Sequence, residues 1–276
     1  MKRILVPTDF SETADNALNV AADLAKKYDS EIYLLHLLEL PLEEIDALGG
    51  HSDLPEAMFF MKLAHKRFED VMDRPQLKEL TIHEVVKFNQ TFSGVMAACN
   101  EFDIDLIIMG SHGVSGLKEI FIGSNTEKVV RSSQIPVLVI KKEHETFDIN
   151  SFVFASDFNK DNKETYKQAS ILAEYLDAKM HLVMVNTPNN FITTKEARAR
   201  IDDFINHVDF KNYDVHVYND ESVEKGILNF ADGLNADLIG ISTHGRQGIA
   251  HIFNGSISED LVNHANRPVI TFKINS

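Results

Sequence analysis

Four small residues in the middle of the chain have the types and spacing of an anion-binding loop. Gly110 and Gly113 are followed, after a further nine residues, by Gly123 and Ser124, and the segment 124–127 leads into a predicted helix. Glycine lets a backbone approach a ligand closely and reach positive φ. The free N–H groups and positive dipole end of a helix start attract phosphate, and the Ser124 hydroxyl adds a donor. A flexible loop before a glycine-capped helix would show the same glycines. The strands on either side of the segment are therefore needed to distinguish an anion-binding loop from such a loop.

An acidic residue follows the first apolar run of the chain. The run 4–7 is succeeded by Thr8 and Asp9. A carboxylate at the end of a buried strand lies at the rim of a sheet, where it can accept hydrogen bonds from a ribose hydroxyl or an adenine amino group. Aspartate is also common as a helix N-cap or turn residue, and without further support that role is favoured.

Strands and helices must alternate to bring these residues together. Buried-type strands are expected at 4–6, 32–37, 82–88, 106–109 and 137–140. Helical periodicity is found at 12–28, 55–73, 92–102 and 124–132. Continuous apolar strands between helices predict an α/β fold with a parallel sheet covered on both faces, and right-handed crossovers make it doubly wound. Ligands bind such sheets beyond the carboxyl ends of the strands.

The pattern occurs twice. The segment Val6-Pro7-Thr8-Asp9-Phe10-Ser11 recurs as Phe154-Ala155-Ser156-Asp157-Phe158-Asn159, at an offset of 148 residues. Gly113 and Gly123-Ser124 recur as Gly245 and Gly255-Ser256, at an offset of only 132 residues. The difference of 16 residues indicates a net insertion in the first half, between about residues 40 and 80.

The repeat predicts two domains in tandem, residues 1–142 and 148–276. The charged segment 141–147 between them is interpreted as a solvated linker. The inserted region contains an apolar segment at 57–61, Ala-Met-Phe-Phe-Met, which we expect to pack on the sheet or on the sister domain. A partner-binding or lid surface is the alternative for that segment.

The composition excludes several classes of protein. The formal net charge of −15 disfavours binding to DNA or RNA, because an acidic surface repels phosphate over most of its area. No apolar run approaches the roughly 20 residues that cross a bilayer, and the N-terminus is interpreted as a first strand rather than a signal peptide. Cys99 is the single cysteine, so no intrachain disulfide can form, which fits a reducing cytoplasm.

The combination of motifs resembles the universal stress protein family, in its ATP-binding type. The segments that carry the resemblance are Val6 to Ser11, Met109-Gly110-Ser111-His112-Gly113, Gly123-Ser124 and Ile135-Pro136-Val137-Leu138-Val139. The pattern Gly-x2-Gly-x9-Gly-Ser/Thr is matched at every position. The resemblance covers both halves, and it implies two Rossmann-like domains of the adenine-nucleotide alpha hydrolase-like kind. Each would contain a five-stranded parallel sheet of order 3-2-1-4-5.

The resemblance also implies how ATP would be held, with Mg²⁺ carried by its phosphates. The adenosine would contact residues after the first two strands, namely Pro7, Thr8, Asp9 and Leu37. The ribose and first phosphates would lie along Gly110 and Gly113. The later phosphates would bind Gly123, Ser124 and Asn125. Asn125 departs from the small apolar residue often found there, but its backbone N–H would still serve.

The second half departs from the pattern at one glycine. Gly110 is matched by Ser242, whereas Gly245, Gly255 and Ser256 are retained. A Cβ at this position could obstruct the ligand or restrict φ. We therefore predict weaker or absent nucleotide binding in residues 148–276, and the alternative is that both halves bind.

The sequence predicts no dedicated catalytic centre. His112 and His244 occupy matching loop positions, where a structural hydrogen bond is favoured over acid–base chemistry because no paired acid or nucleophile is evident. Slow ATP hydrolysis or self-phosphorylation remains compatible with the family. The twelve histidines form no Cys/His cluster and no His-x3-His pair, so the sequence predicts no structural zinc site, and a set of distant histidines that converge in space is left open.

Three functions follow from these features. The first is a cytoplasmic, adenine-nucleotide-binding sensor or regulator in a stress response. Its halves would pack as an intrachain pseudo-dimer through the fifth strands, 136–141 and 268–274, with a further homodimer left open. The alternatives are an enzyme that transfers phosphoryl or adenylyl groups and a nucleotide-independent interaction scaffold.

Overall fold

A computed structural model describes the protein over residues 1–38, 54–88, 91–111, 122–243 and 255–274. The strands in these ranges are β1 Arg3–Pro7, β2 Glu31–Leu38, β3 Ile82–Phe88, β4 Leu106–Gly110, β5 Val137–Ile140, β6 Ser151–Ala155, β7 Lys179–Asn186, β8 Tyr213–Asn219, β9 Leu238–Thr243 and β10 Val269–Lys273. The helices are α1 Glu12–Tyr28, α2 Leu54–Met72, α3 Thr91–Glu101, α4 Ser124–Ser132, α5 Lys163–Leu176, α6 Thr194–Ile205, α7 Val223–Gly233 and α8 Gly255–His264. Short 3₁₀ turns lie at Pro75–Leu77 and Lys160–Asn162.

The strands form a single ten-stranded sheet in the order β3-β2-β1-β4-β5-β10-β9-β6-β7-β8. Each half therefore has the order 3-2-1-4-5, and the predicted fold class is confirmed. Neighbouring strands are parallel within each half, whereas β5 and β10 pair antiparallel with Val139 opposite Val269. The two halves thus join through their fifth strands, as expected for an intrachain pseudo-dimer.

Apolar side chains that alternate along each strand build one core on each face of the sheet. On one face, Ile4 and Val6 of β1 pack with residues of α1, α2, α5 and α6. On the other face, Leu5 packs with residues of α3, α4, α7 and α8. Because both faces are covered, β4 and β9 are buried along their whole length. This accounts for the continuous apolar runs that the sequence shows.

The segment between the halves is anchored rather than simply solvated. The backbone N–H of Phe147 donates to Asp23 of α1 at 2.9 Å, and Phe147 and Ile149 are buried in the first core. An ion pair at 3.1 Å joins Lys27 to Asp148. The prediction of a solvated linker was therefore wrong at Phe147, because an apolar residue next to α1 is removed from water by packing there.

The apolar segment of α2 is exposed. Met58 is 54% exposed and Phe59 is 62% exposed, so the expectation that this segment packs on the sheet or the sister domain is wrong for these two residues. Further along the same helix, Phe68 is fully buried against the sheet. Among the helices in the described ranges, none has the length and apolar character needed to cross a membrane.

Candidate functional site

The predicted site lies where the strand order of the first half reverses. β1 pairs with β2 on one side and with β4 on the other, so the chain leaves β1 and β4 in neighbouring positions at the same edge of the sheet. The backbone N–H of Thr8 continues one ladder to Leu35 at 2.8 Å, and that of Ser111 continues the other to Ile140 at 2.9 Å. This edge is the place where doubly wound sheets bind ligands.

A tight turn follows β1. Phe10 N–H donates to the Thr8 hydroxyl at 2.9 Å, and Ser11 N–H donates to the Asp9 carboxylate at 3.0 Å. Ser11 then caps α1 by accepting from Ala14 N–H at 3.3 Å. One oxygen of Asp9 thus has the turn-stabilising role that the sequence favoured. Its role toward a nucleotide stays a prediction.

Phe10 holds this turn in an unusual conformation. Its φ of 62° lies in the left-handed region, which costs a non-glycine residue about 1–3 kcal/mol. Its ring is fixed by His36 at 4.7 Å and by Phe68 at 5.3 Å between centroids, and Arg67 lies 5.5 Å from it. The His36 ring nitrogen Nδ1 is also 2.8 Å from the Thr8 carbonyl oxygen. Sequence reasoning missed His36, although it is the one polar residue in the apolar run of β2.

The glycine–serine segment is brought to the same edge. Gly123 N–H donates to the Ser111 carbonyl at 2.8 Å, which places the start of α4 beside the end of β4. The Thr126 hydroxyl donates to the Gly110 carbonyl at 3.0 Å. Gly123 gives α4 no side-chain cap, and Ser124 and Asn125 are exposed at its first turn. The structure thus places Gly110, Gly123, Ser124 and Asn125 together, near Pro7, Thr8 and Asp9. Leu37 lies near the end of β2, two strand positions along from Leu35.

Two predicted residues, Gly113 and His112, lie outside the described part of the chain. The same holds for their counterparts in the second half, Gly245 and His244. Their expected places in the loop remain predictions.

The structure gives Gly110 a role in packing. No glycine in the described ranges has positive φ, so Gly110 and Gly123 are not required for a left-handed backbone conformation. A Cβ on Gly110 would lie 2.6 Å from the Thr13 carbonyl oxygen, which is closer than atoms pack. Gly110 is therefore needed for the close approach of α1 to β4.

Ser242 fits in the second half because the corresponding helix begins later. The residue that matches Glu12 is Lys160, but α5 begins only at Lys163, after a 3₁₀ turn. The Ser242 hydroxyl is buried and lies 2.7 Å from the Thr165 hydroxyl. The glycine-to-serine difference therefore reflects how a helix packs, and it does not by itself report on a ligand.

The turn after β1 is repeated after β6, with one difference at the acid. Phe158 has a φ of 54°, and Phe158 and Asn159 N–H groups donate to Ser156 and Asp157 as their counterparts do. Asp157 also accepts from the side-chain amides of Asn159 and Asn162, the latter at 2.6 Å. The matching positions in the first half hold serine and alanine. These two side-chain amides commit Asp157 to bonds within the chain.

An open pocket lies at the carboxyl ends of β6 and β7. Apolar and polar groups share its lining, with Arg200 as its cation and Ser156, Asp157, Asn186 and Asn190 as further polar groups. Arg200 is also 3.8 Å from Glu196 on the same helix. The second half thus has an open pocket at the ends of β6 and β7, although its glycine motif is incomplete.

A histidine cluster that sequence reasoning missed lies elsewhere on the second half. His181 of β7 and Asp214 and His216 of β8 place one potential ligand atom each within 4.8 Å of the others. The spacing rules applied to the sequence look for ligands within one short motif, and 33 residues separate His181 from Asp214. The pairing of two strands brings them together.

Comparisons with known proteins agree with this architecture. The family model described as "Universal stress protein family" matches residues 1–141 and 210–273. The chain is 33% identical over 156 residues to Universal stress protein MJ0577 of Methanocaldococcus jannaschii, covering 52% of this chain and 96% of that protein. It is 25% identical over 293 residues to Universal stress protein Slr1230 of Synechocystis, covering 99% and 100%. A universal stress protein from Archaeoglobus fulgidus shares the fold over 99% of this chain and 98% of its own, with a TM-score of 0.77 at 23% identity.

Proposed function

The chain belongs to the universal stress protein family, and on that premise we propose that its first half binds ATP and makes the protein a sensor or regulator in a stress response. One observation carries the proposal. The Gly123–Ser111 hydrogen bond holds the start of α4 beside the end of β4, at the switch point that the Thr8–Asp9 turn also borders. A helix start suited to anions and a carboxylate thus lie at the same edge of the sheet.

The groups present fit a nucleotide with its metal ion. Among the described residues, the N-cap Gly123 gives α4 no side-chain cap, and the first-turn N–H groups and the Ser124 hydroxyl are suited to phosphate oxygens. The Asp9 carboxylate is suited to ribose hydroxyls. The family resemblance assigns the adenine edge to Pro7, Thr8 and Leu37, where the Thr8 N–H is already bonded to Leu35. Mg²⁺ would be carried by the phosphates, which it usually binds together with water.

We propose that nucleotide binding is weaker or absent in the second half. The support is Asp157, whose carboxylate is held by Asn159 and Asn162 and would have to exchange these bonds for a ribose. The pocket lined by Asp157 and Arg200 favours the alternative that a ligand does bind there. The number of ATP molecules bound per chain distinguishes binding in the first half alone from binding in both halves.

Other parts of the proposal rest on the sequence. Cys99 is buried, and burial raises the pKa of its thiol to about 12, so it is an inert core residue that fits a cytoplasmic protein. A transferase role would depend on His112. Turnover with a defined acceptor that is lost in His112→Ala would support that role over the sensor.

The test compares Asp9→Asn with Asp157→Asn in calorimetric titrations with ATP–Mg. Asparagine still accepts from Ser11 N–H, so the turn is kept while the charge is lost. A hydrogen bond to a charged group is worth about 1.5–3 kcal/mol, so we expect Asp9→Asn to weaken binding by about 10- to 100-fold. Asp157→Asn is the matched control and should leave the affinity unchanged. Equal ATP affinity of the wild type and Asp9→Asn would show that the Asp9 carboxylate does not bind the nucleotide.

A further inference from the structure

Three metal-ligating side chains converge on the outer strands of the second half. In the β7–β8 register, His181 lies opposite Asp214, and His216 lies opposite Val183. His181 Nδ1 is 3.4 Å from His216 Nε2 and 3.9 Å from Asp214 Oδ2. The cluster lies toward the amino end of β7, whereas the pocket described above lies at its carboxyl end. It belongs neither to the proposed ATP crevice nor to its counterpart.

The separations suit a small divalent ion. Zn–N bonds are about 2.0–2.1 Å, so two imidazole nitrogens on one tetrahedral ion lie about 3.3–3.4 Å apart. The observed 3.4 Å between His181 and His216 matches this spacing. The carboxylate is farther, at 3.9 Å, but the Asp214 side chain is 49% exposed and can turn inward. Two imidazoles select a transition metal over Mg²⁺ or Ca²⁺, which prefer oxygen ligands.

The surroundings suit a ligand site with one open side. The His181 side chain is 12% exposed. The His216 ring packs 4.9 Å from the ring of Phe230 in α7, and this contact limits its movement. The exposed side, at Asp214, leaves room for a water ligand.

The same atoms can also be satisfied without a metal ion. The two imidazoles are close enough for an N–H···N hydrogen bond, and Lys179 Nζ forms an ion pair with Asp214 at 2.7 Å. A metal ion would replace both interactions. Lys179 would then have to release Asp214, so it competes with the metal for the carboxylate.

The first half provides an internal comparison. The positions that match His181, Asp214 and His216 hold Tyr33, His83 and Val85. There His83 pairs with Glu31 at 2.8 Å and stacks on Tyr33. The first half thus has one histidine and a core valine where the second half has the full ligand set.

We propose that His181, Asp214 and His216 form a binding site for a divalent transition-metal ion of the zinc type. The site is independent of the nucleotide crevice. Its three protein ligands would leave the fourth position of a tetrahedral ion to water.

The experiment uses the untagged full-length chain, stripped of metal with a chelator. ZnCl₂ is titrated by calorimetry, and CoCl₂ by the visible absorption that a four-coordinate cobalt site produces. We expect one ion per chain. His216→Gln and His181→Gln should each weaken Zn²⁺ binding at least about tenfold. Loss of a residue that merely hydrogen-bonds a metal ligand already costs about 10- to 100-fold in affinity, so loss of a ligand should cost no less. His83→Gln, at the matched position of the first half, should bind as wild type does.

Two exposed variants keep the test decisive if a histidine variant fails to fold. Asp214→Asn should weaken Zn²⁺ binding, whereas Lys179→Met should strengthen it by removing the competing ammonium. A purely structural His–His contact would give neither change. The proposal is overturned if the wild type shows no saturable Zn²⁺ binding, or if His83→Gln weakens it as much as His216→Gln does.

Discussion

Gly110 is a glycine because of packing, whereas the sequence suggested that it was a glycine to let a ligand approach. Its missing side chain lets the backbone of α1 approach β4, with the Thr13 carbonyl at the place a Cβ would occupy. In the second half the corresponding helix begins later, and Ser242 instead shares a hydrogen bond with Thr165. The two halves thus solve the same helix–strand contact with different residues.

We predict that Gly110→Ala destabilises the protein by about 1–3 kcal/mol, the usual cost of overpacking a close contact. The measurement is the free energy of unfolding in guanidinium chloride. Ser242→Ala is the matched variant, and it should cost about 1 kcal/mol because it removes one buried hydrogen bond. A Gly110→Ala protein as stable as the wild type would show that the Thr13 contact relaxes freely.

The sequence allowed the turn after β1 to be located but not its conformation. The repeat marked Thr8 to Ser11 and its copy as equivalent, and both turns share two hydrogen bonds from backbone N–H groups to side chains. The positive φ at Phe10 and Phe158 could not be anticipated, because aromatic residues disfavour that region and the contacts that hold the rings are tertiary. His181 and His216 could not be joined because strand register is a tertiary property.

At the scale of elements, the junction between the halves has two equivalent lysines. Lys141 donates to the carbonyl of Asn263 near the end of α8, and Lys273 donates to the carbonyl of Arg131 near the end of α4 at 2.8 Å. Lysine near a helix C-terminus is favoured by the dipole. Burial nevertheless dominates: it lowers the pKa of Lys141 to about 8, and it lowers that of Lys273 as well.

These lysines predict a pH dependence of stability. The unfolded chain keeps both ammonium groups protonated to near 10.5, whereas the folded protein releases the Lys141 proton near pH 8. The unfolded state thus binds more protons between these values, so stability should rise with pH above about 8. Lys141→Met with Lys273→Met should flatten this rise in guanidinium unfolding between pH 7.5 and 9.5. The same slope in the double variant would contradict the assignment.

The element boundaries were largely readable from periodicity. Strands at 82–88 and 137–140 and the helix at 124–132 occur as expected, since apolar runs and helix starts are local signals. The strand order came from the family resemblance, because local patterns carry no information on which strands pair. The burial of Phe147 was missed for the same reason.

At the scale of the whole molecule, the chain is two copies of one fold that differ, among other places, at the sites that we propose. One half has the complete glycine motif and the ATP site that we propose. The other has a committed Asp157, an open pocket and the histidine cluster that we propose as a metal site. The antiparallel β5–β10 pair joins them in one sheet. Whether two chains associate further remains a prediction.

The most direct test of this account is a calorimetric titration of ATP–Mg into the wild type, Gly123→Val and Gly255→Val. Gly123 precedes α4, and Gly255 is its matched residue in the second half. We predict one ATP per chain, binding weakened at least about tenfold by Gly123→Val through obstruction of the helix start, and binding unchanged in Gly255→Val. No saturable binding in the wild type, or a loss confined to Gly255→Val, would contradict an ATP site in the first half.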